Sequence, residues 1–222
     1  INFKKYTVMF FYKKTIKNGY VIQNSQPEHA RGLEALQRKV FPTLSDSEIM
    51  TAAHYLKHMQ IFPEGQFVVL DGEKVIGMST TMRYHLSYES HTFLEISDNL
   101  WIEGTHEPDG DWLYGLDVGV DPDYRGQGIA REIYRARQEV ARHFGLKGQI
   151  TVGMMNGYGK VEDEYTVEEY FEKLKNRDLI DPTVSAQQKL GFKIISLITD
   201  YLDDPACGNA GVLMTMEAER EV

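Results

Sequence analysis

The 222-residue chain holds a single cysteine, Cys207. A disulfide framework is therefore excluded, as is a zinc site built on cysteine pairs. A reducing, cytoplasmic setting is the expectation. A lone cysteine acts as a nucleophile only beside a base, and no Cys–His arrangement is legible. No apolar run reaches the roughly 18 residues that cross a bilayer. The run Val8 to Tyr12, behind Lys4 and Lys5, is too short for the core of a secretion signal. Basic residues are outnumbered, 24 Lys and Arg against 33 Asp and Glu, giving a net charge of −9 and a pI near 5.3. A nucleic-acid binder calls for the opposite balance, so neither nucleic acid nor membrane is expected as a partner. There is no internal repeat, low-complexity segment or domain linker. The chain begins at Ile1 rather than Met, as expected of a fragment or processed product. Apolar residues make up 42% and aromatic residues 11%, enough for a core, and the length suits one large domain.

The informative stretch is Asp121-Pro122-Asp123-Tyr124-Arg125-Gly126-Gln127-Gly128-Ile129-Ala130. It follows a strand-like run, Trp112 to Val120, and opens an amphipathic helix whose Ile129, Ile133, Ala136, Val140 and Phe144 recur at helical spacing. The N–H groups at such a turn lack intrahelical partners, and the helix dipole favours an anion there. Gly126 and Gly128 remove the Cβ atoms that would block a phosphate, and Arg125 adds a permanent cation. The spacing is neither the G-x-G-x-x-G of a dinucleotide fold nor a P-loop.

Coarse patterning surrounds this turn with a strand at Tyr20 to Gln23 and a helix at about Gln26 to Val40. Ser45-Asp46-Ser47-Glu48 has the form of a capping box and predicts a second helix with Ile49, Ala53, Leu56 and Met59 inward. A hairpin, Gln66 to Leu70 and Lys74 to Met82, turns at Asp71-Gly72. Tyr84 to Glu107 reads as a loop with a short helix. After the central strand and its helix come a strand at Gln149 to Met154, an acidic segment 157–182 with a helix near Val167 to Lys175, a helix at Thr183 to Leu190, and strands at Lys193 to Thr199 and Gly211 to Met216. Residues 1–19 read as an extension, either an extra strand or a tail, before a single domain over 20–222.

The arrangement Arg125-x-x-Gly128-x-Ala130, within Val118-Gly119-Val120-Asp121-Pro122-x-Tyr124-Arg125-Gly126, resembles the acetyl-CoA pyrophosphate loop of the GNAT (Gcn5-related) N-acetyltransferases. The element order matches that family over roughly residues 20 to 216. The resemblance implies an α+β, three-layer fold whose mixed, mostly antiparallel sheet is flanked by helices, with two central strands splaying to admit CoA. Val152-x-x-x-Asn156 and Leu190-Gly191-Phe192 are further anchors. The late position of the latter resembles GNAT modules joined to carbon–nitrogen (nitrilase-type) hydrolases.

The resemblance also implies site roles. Gly126, Gln127, Gly128, Ile129 and Ala130 would cradle the pyrophosphate, with Arg125 supplying charge. Val118, Gly119 and Val120 would line the pantetheine, one N–H polarising the thioester carbonyl, and Asn156 would meet the CoA arm. Plain core packing of the valine side chains is compatible with that use of their backbone. Inward positions of the central strand are expected to alternate as Val118, Leu116 and Tyr114. Tyr114 stands where a base is expected, and Asp117 faces away unless a bulge turns it. Glu95 and His85 are weaker candidates. Four residues before Gly191, where the family commonly has an acidic tyrosine, stands Gln187, which cannot donate as an acid. Tyr201 or Tyr158 are substitutes.

The expected activity is acetyl transfer from acetyl-CoA to a primary amine, small-molecule or peptide. The alternative is a non-catalytic acetyl-CoA-binding regulatory module. A homodimer is compatible with the sequence. His54 and His58, at i and i+4, are expected on a helix surface rather than as a metal pair. Glu162, Asp163 and Glu164 are read as a solvated loop, and Tyr84, His85 and Tyr88 as packing or acceptor lining.

Overall fold

The structure is a computed structural model describing residues 10–222; Lys4, Lys5 and the start of the Val8 to Tyr12 run lie outside the described residues. Strands β1 (Lys13–Thr15), β2 (Val21–Asn24), β3 (Phe67–Asp71), β4 (Lys74–Tyr84), β5 (Trp112–Val120), β6 (Gly148–Met154), β7 (Lys193–Ile198) and β8 (Gly211–Glu217) form one sheet. Its order is β1-β2-β3-β4-β5-β6-β8-β7. Every neighbouring pair is antiparallel except β5 and β6. The described part of the expected N-terminal extension thus supplies β1, which pairs with β2.

Helices α1 (Ala30–Val40) and α2 (Ala52–Ile61) cover one face of the sheet, and α4 (Ile129–His143) covers the other. Alternation along the strands divides the core accordingly. Val68 and Tyr114 pack with Leu33, Leu36 and Tyr55, whereas Phe67, Val69 and Leu113 pack with Ile129, Ile133 and Val140. Short α3 (Phe93–Ile96) lies in the β4–β5 connection; α5 (Val167–Asn176) and α6 (Val184–Leu190) follow β6.

Two expectations about α2 are corrected. Ser45 to Glu48 forms a 3-10 turn with no side-chain cap, and Ile49 is extended. Helix α2 begins six residues later, where the Thr51 N–H donates to His54 Nδ1 at 3.0 Å. Its phase therefore shifts: Tyr55 and His58 face inward, while Ala53 and Leu56 are exposed. His58 is fully buried against the Leu100 carbonyl, and burial lowers its pKa to about 4. It is a core histidine, not a surface one.

Segment 157–182 folds onto its neighbours through Asp181. That buried carboxylate accepts from the N–H groups of Gly157, Thr183 and Val184 and from the Tyr170 hydroxyl, so it both caps α6 and anchors the segment. Glu162, Asp163 and Glu164 stay exposed.

Candidate active site

The site begins where β5 and β6 part. Leu113, Tyr114 and Gly115 pair with Gln149, Ile150 and Thr151, and the pairing stops there. From Val152 on, β6 pairs only with β8. On the other edge of β5, Thr81 faces Gly115 and Thr80 faces Asp117, so Leu116 is an unpaired, bulged residue.

The bulge changes which way everything after it points. Gly115 faces α4, because a Cβ there would fall on the Arg137 guanidinium. Asp117, two residues on, faces α2 instead: its carboxylate accepts from the Thr80 N–H and from the Tyr55 hydroxyl at 3.3 Å. The expected alternation of Tyr114, Leu116 and Val118 on one face is thereby overturned, since Tyr114 faces α2 and Val118 reaches the α4 cluster. Asp117 is 7% exposed, and burial raises its pKa to about 6, against the lowering by Thr80, Tyr55 and Arg137.

The backbone beyond the bulge is open. Asp121 N donates to Ile76 O at 2.9 Å, so the N–H groups of Asp121, Gly119 and Asp117 turn toward β4. Those of Val118 and Val120 turn toward the split. Arg125, exposed, confirms this direction by donating from Nε to the Val120 carbonyl at 3.2 Å.

The turn that follows is held at its entry. Asp121 is buried and accepts from Lys39 Nζ at 2.6 Å and from the Asp123 N–H at 3.0 Å; Lys74 stands 3.4 Å away. Burial opposes its charge, but these partners keep the carboxyl below the usual aspartate range. Gly126 and Gly128 both take positive φ, 76° and 83°, which side chains disfavour. No partner is found for the N–H groups of Gly126 through Arg131 among the described residues. The Gln127 side chain is pulled back, its Oε1 accepting from Asn18 Nδ2 at 2.7 Å and from the Tyr20 hydroxyl at 3.2 Å. Six free donors at the start of a 15-residue helix, with no Cβ at two of them, fit a diphosphate.

Under the split, α4 presents Tyr134 and α6 presents Gln187. Gln187 is buried, and its Nε2 donates to the Tyr134 hydroxyl at 3.0 Å. Gly153 of β6 leaves room for the amide, whose Oε1 has no partner. Asn156 is exposed and donates to the Thr183 hydroxyl at 2.7 Å.

On the opposite side, three loops meet over Tyr114. Ser45 N donates to Asp203 O, Asp203 N donates to Glu48, and Thr43 donates to Asp204. Phe93 N donates to Tyr201 O. His91, missed in the sequence, stands at this junction: its Nε2 is 3.0 Å from the Tyr114 hydroxyl and its Nδ1 is 3.0 Å from Glu89 O. A carbonyl only accepts, so Nδ1 carries the proton and Nε2 accepts from Tyr114. The Tyr114 oxygen in turn lies 3.4 Å from the Tyr201 hydroxyl. Burial pushes both tyrosines well above the usual phenol range. The available signal is the capping box Thr92-x-x-Glu95, which His91 directly precedes, but nothing local ties that loop to Tyr114.

The remaining sequence candidates find other partners. The Thr92 N–H holds the Glu95 carboxyl below the usual range as a helix cap. His85 is exposed beside Asp111. Tyr158 packs on Tyr170 inside the 157–182 segment. Cys207 is buried, and burial raises its thiol pKa to about 12, so it is no nucleophile. Among the described residues no group of three or more His, Cys, Asp or Glu is placed to hold a metal ion, and no helix is long and apolar enough to cross a membrane.

A mixed sheet that splits beside a strand-to-helix anion cradle defines an acyl-CoA-binding fold. The chain belongs to the acetyltransferase (GNAT) family, whose model matches residues 32–157. It is 32% identical to the probable hydrolase YhcX of Bacillus subtilis over 83% of this chain, but spans only 36% of that relative. It is 30% identical to the uncharacterized N-acetyltransferase YkwB of the same organism, over 87% of this chain and 86% of the relative. Among solved structures, the loading GNATL domain of CurA from Lyngbya majuscula aligns with a TM-score of 0.75 at 20% identity, over 91% of this chain and 99% of that one. The GNAT-like decarboxylase GphF in complex with isobutyryl-CoA aligns with a TM-score of 0.72 at 20% identity, over 89% and 99%. These two likenesses establish the shared fold.

Proposed function

We propose that this chain transfers an acyl group, acetyl in the simplest case, from its CoA thioester to the nitrogen of a primary amine. The six unpartnered N–H groups of Gly126 through Arg131 carry the reading, because such a cradle suits a phosphate-bearing anion. Arg125 adds charge at its rim. The N–H groups of Val118 and Val120 would pair with the amide-bearing arm as a neighbouring strand would, and one of them would stabilise the negative charge that develops on the thioester oxygen.

An alkylamine is mostly protonated at neutral pH, so attack requires a base. His91 Nε2 fills that role through the Tyr114 hydroxyl: the amine proton passes to Tyr114 while the Tyr114 proton passes to His91. Asp117, with both oxygens engaged, holds the bulge and is the second candidate. As the C–N bond forms and the C–S bond breaks, the thiolate takes a proton from Tyr134, whose oxygen is occupied by the Gln187 amide and whose own proton stays free to donate; the second proton lost from the nitrogen leaves to solvent, and solvent reprotonates Tyr134.

Gln187 in place of the expected tyrosine favours a second reading, a module that holds acyl-CoA without transferring from it. The likeness to YhcX, of which this chain spans about a third, supports the proposal that such modules also occur joined to a hydrolase. Calorimetry with acetyl-CoA tests the cradle; Gly128→Val should abolish the binding heat, and unchanged affinity refutes the diphosphate placement. Thiol release over a panel of amines separates transfer from holding: release above the hydrolysis background supports the enzyme, and binding without release supports the module.

A further inference from the structure

Arg137 is a fully buried charge whose guanidinium has few partners: the Ile150 carbonyl and the face of the Tyr134 ring, 5.1 Å from its central carbon. It lies on the inner face of α4, two turns beyond the diphosphate cradle, and is 0% exposed. Nη2 donates to Ile150 O at 3.3 Å; Nε and Nη1 donate to nothing. No carboxylate lies within ion-pair distance of it among the described residues. Tyr134, and after it Asp117, act on it through space. A buried guanidinium left in this state costs several kcal/mol, and an alanine or leucine would fill an inward helix position without that cost.

The chain makes deliberate room for it. Residue 115 is glycine, and any Cβ there would collide with the guanidinium. Gly115 is also the last β5 residue paired with β6, and Ile150 is paired one step before the split. The guanidinium therefore bridges the two strands at the apex of the split. The geometry fixes which end of a CoA thioester comes near. The cradle at Gly126 to Ala130 marks the diphosphate end, and β5 runs back from it through Val120 and Val118 to Leu116. The four residue steps from Val120 to Leu116 span about 13 Å at the rise of a strand. An arm laid along that edge thus brings its acyl end to the apex.

We propose that Arg137 recognises a carboxylate on the acyl group, so that the preferred donor is the CoA thioester of a dicarboxylic acid rather than acetyl-CoA itself. This rests on the CoA reading above and narrows it. A carboxylate meets the two free donors, neutralises the buried charge and is held in a dry site where such a pair is strong. Neutral acyl groups leave the guanidinium as it stands.

The test compares the affinities of CoA, acetyl-CoA, butyryl-CoA, malonyl-CoA and succinyl-CoA for the unmodified protein by calorimetry. The better of the two carboxylated thioesters should bind at least 10-fold tighter than acetyl-CoA and butyryl-CoA. Equal or weaker binding of both, with CoA itself still bound, overturns the inference and leaves the CoA reading standing. Failure of all five, CoA included, refutes the CoA reading. In Arg137→Gln the preference should vanish while CoA affinity is retained; a retained preference also overturns the assignment. Should that variant not fold, the comparison on the unmodified protein decides alone.

Discussion

Replacing Asp117 by asparagine isolates the electrostatics of the bulge. The carboxylate sits at 7% exposure, and its pKa is raised to about 6, chiefly by burial. Between about pH 4 and 6 the folded chain keeps this proton while the unfolded chain has released it. Folding then takes up a proton, and stability falls as pH rises through that window. A rise of roughly two units is worth about 3 kcal/mol at 1.36 kcal/mol per unit. Asparagine never ionises, and it still offers an oxygen to the Thr80 N–H. The Tyr55 hydroxyl keeps an acceptor in Gln37 Oε1 at 2.9 Å. The stability of Asp117→Asn relative to the parent chain should therefore grow by about 1–3 kcal/mol from pH 4 to pH 7.

The comparison must be a difference curve, because His58 pulls the other way. Its pKa of about 4 lies below the ordinary histidine value, so between about pH 6.5 and 4 the unfolded chain gains a proton the folded chain refuses, and stability falls as pH falls. That contribution is common to both proteins and cancels. Urea unfolding followed by circular dichroism at pH 4, 5, 6, 7 and 8 gives the curve. A flat difference, or one that favours the parent at high pH, refutes the claim that Asp117 is destabilised in its charged form.

His58→Gln should flatten the acid limb, removing about 3 kcal/mol of pH-dependent stability between pH 6.5 and 4; melting temperature against pH checks it, and an unaltered acid limb refutes the buried-histidine account. Gly115→Ala should cost roughly 1–3 kcal/mol by overpacking against the guanidinium. In a double-mutant cycle Arg137→Ala should recover most of that cost, whereas additive losses would place the collision elsewhere.

How far the sequence carries depends on whether the signal is local. The turn at Arg125 to Ala130 is local: glycine spacing, a preceding strand and a following helix stand in one unbroken stretch from Trp112 to His143, and all reappear in the structure. The hairpin of β3 and β4 is legible for the same reason. The start of α2 was not, because Ser45-x-x-Glu48 satisfies the capping pattern while Glu48 is claimed by the Asp203 N–H, 155 residues away. His91 escaped notice because its partner Tyr114 lies 23 residues further on. Arg137 carries no local signal of its burial, and the space its guanidinium takes is left by Gly115 on another element.

The bulge at Leu116 ties these features together. Without it, the side chain at 117 would share the α4 face with Gly115 and crowd the space that Arg137 occupies, and the strand would continue pairing in step with β4. One inserted residue instead sends the carboxylate to Tyr55 and Thr80 on the α2 face. The same insertion resets the backbone so that the N–H groups of Val118 and Val120 face the split and not β4. Pairing with β6 ends one residue earlier, at Gly115. A single unpaired residue thus coincides with the end of the parallel pairing, exposes an edge that an extended ligand can join, and keeps the anionic and cationic groups on opposite faces of β5. Deleting Leu116 should return Asp117 toward Arg137, where the two would pair, and the N–H groups of Val118 and Val120 would turn from the split.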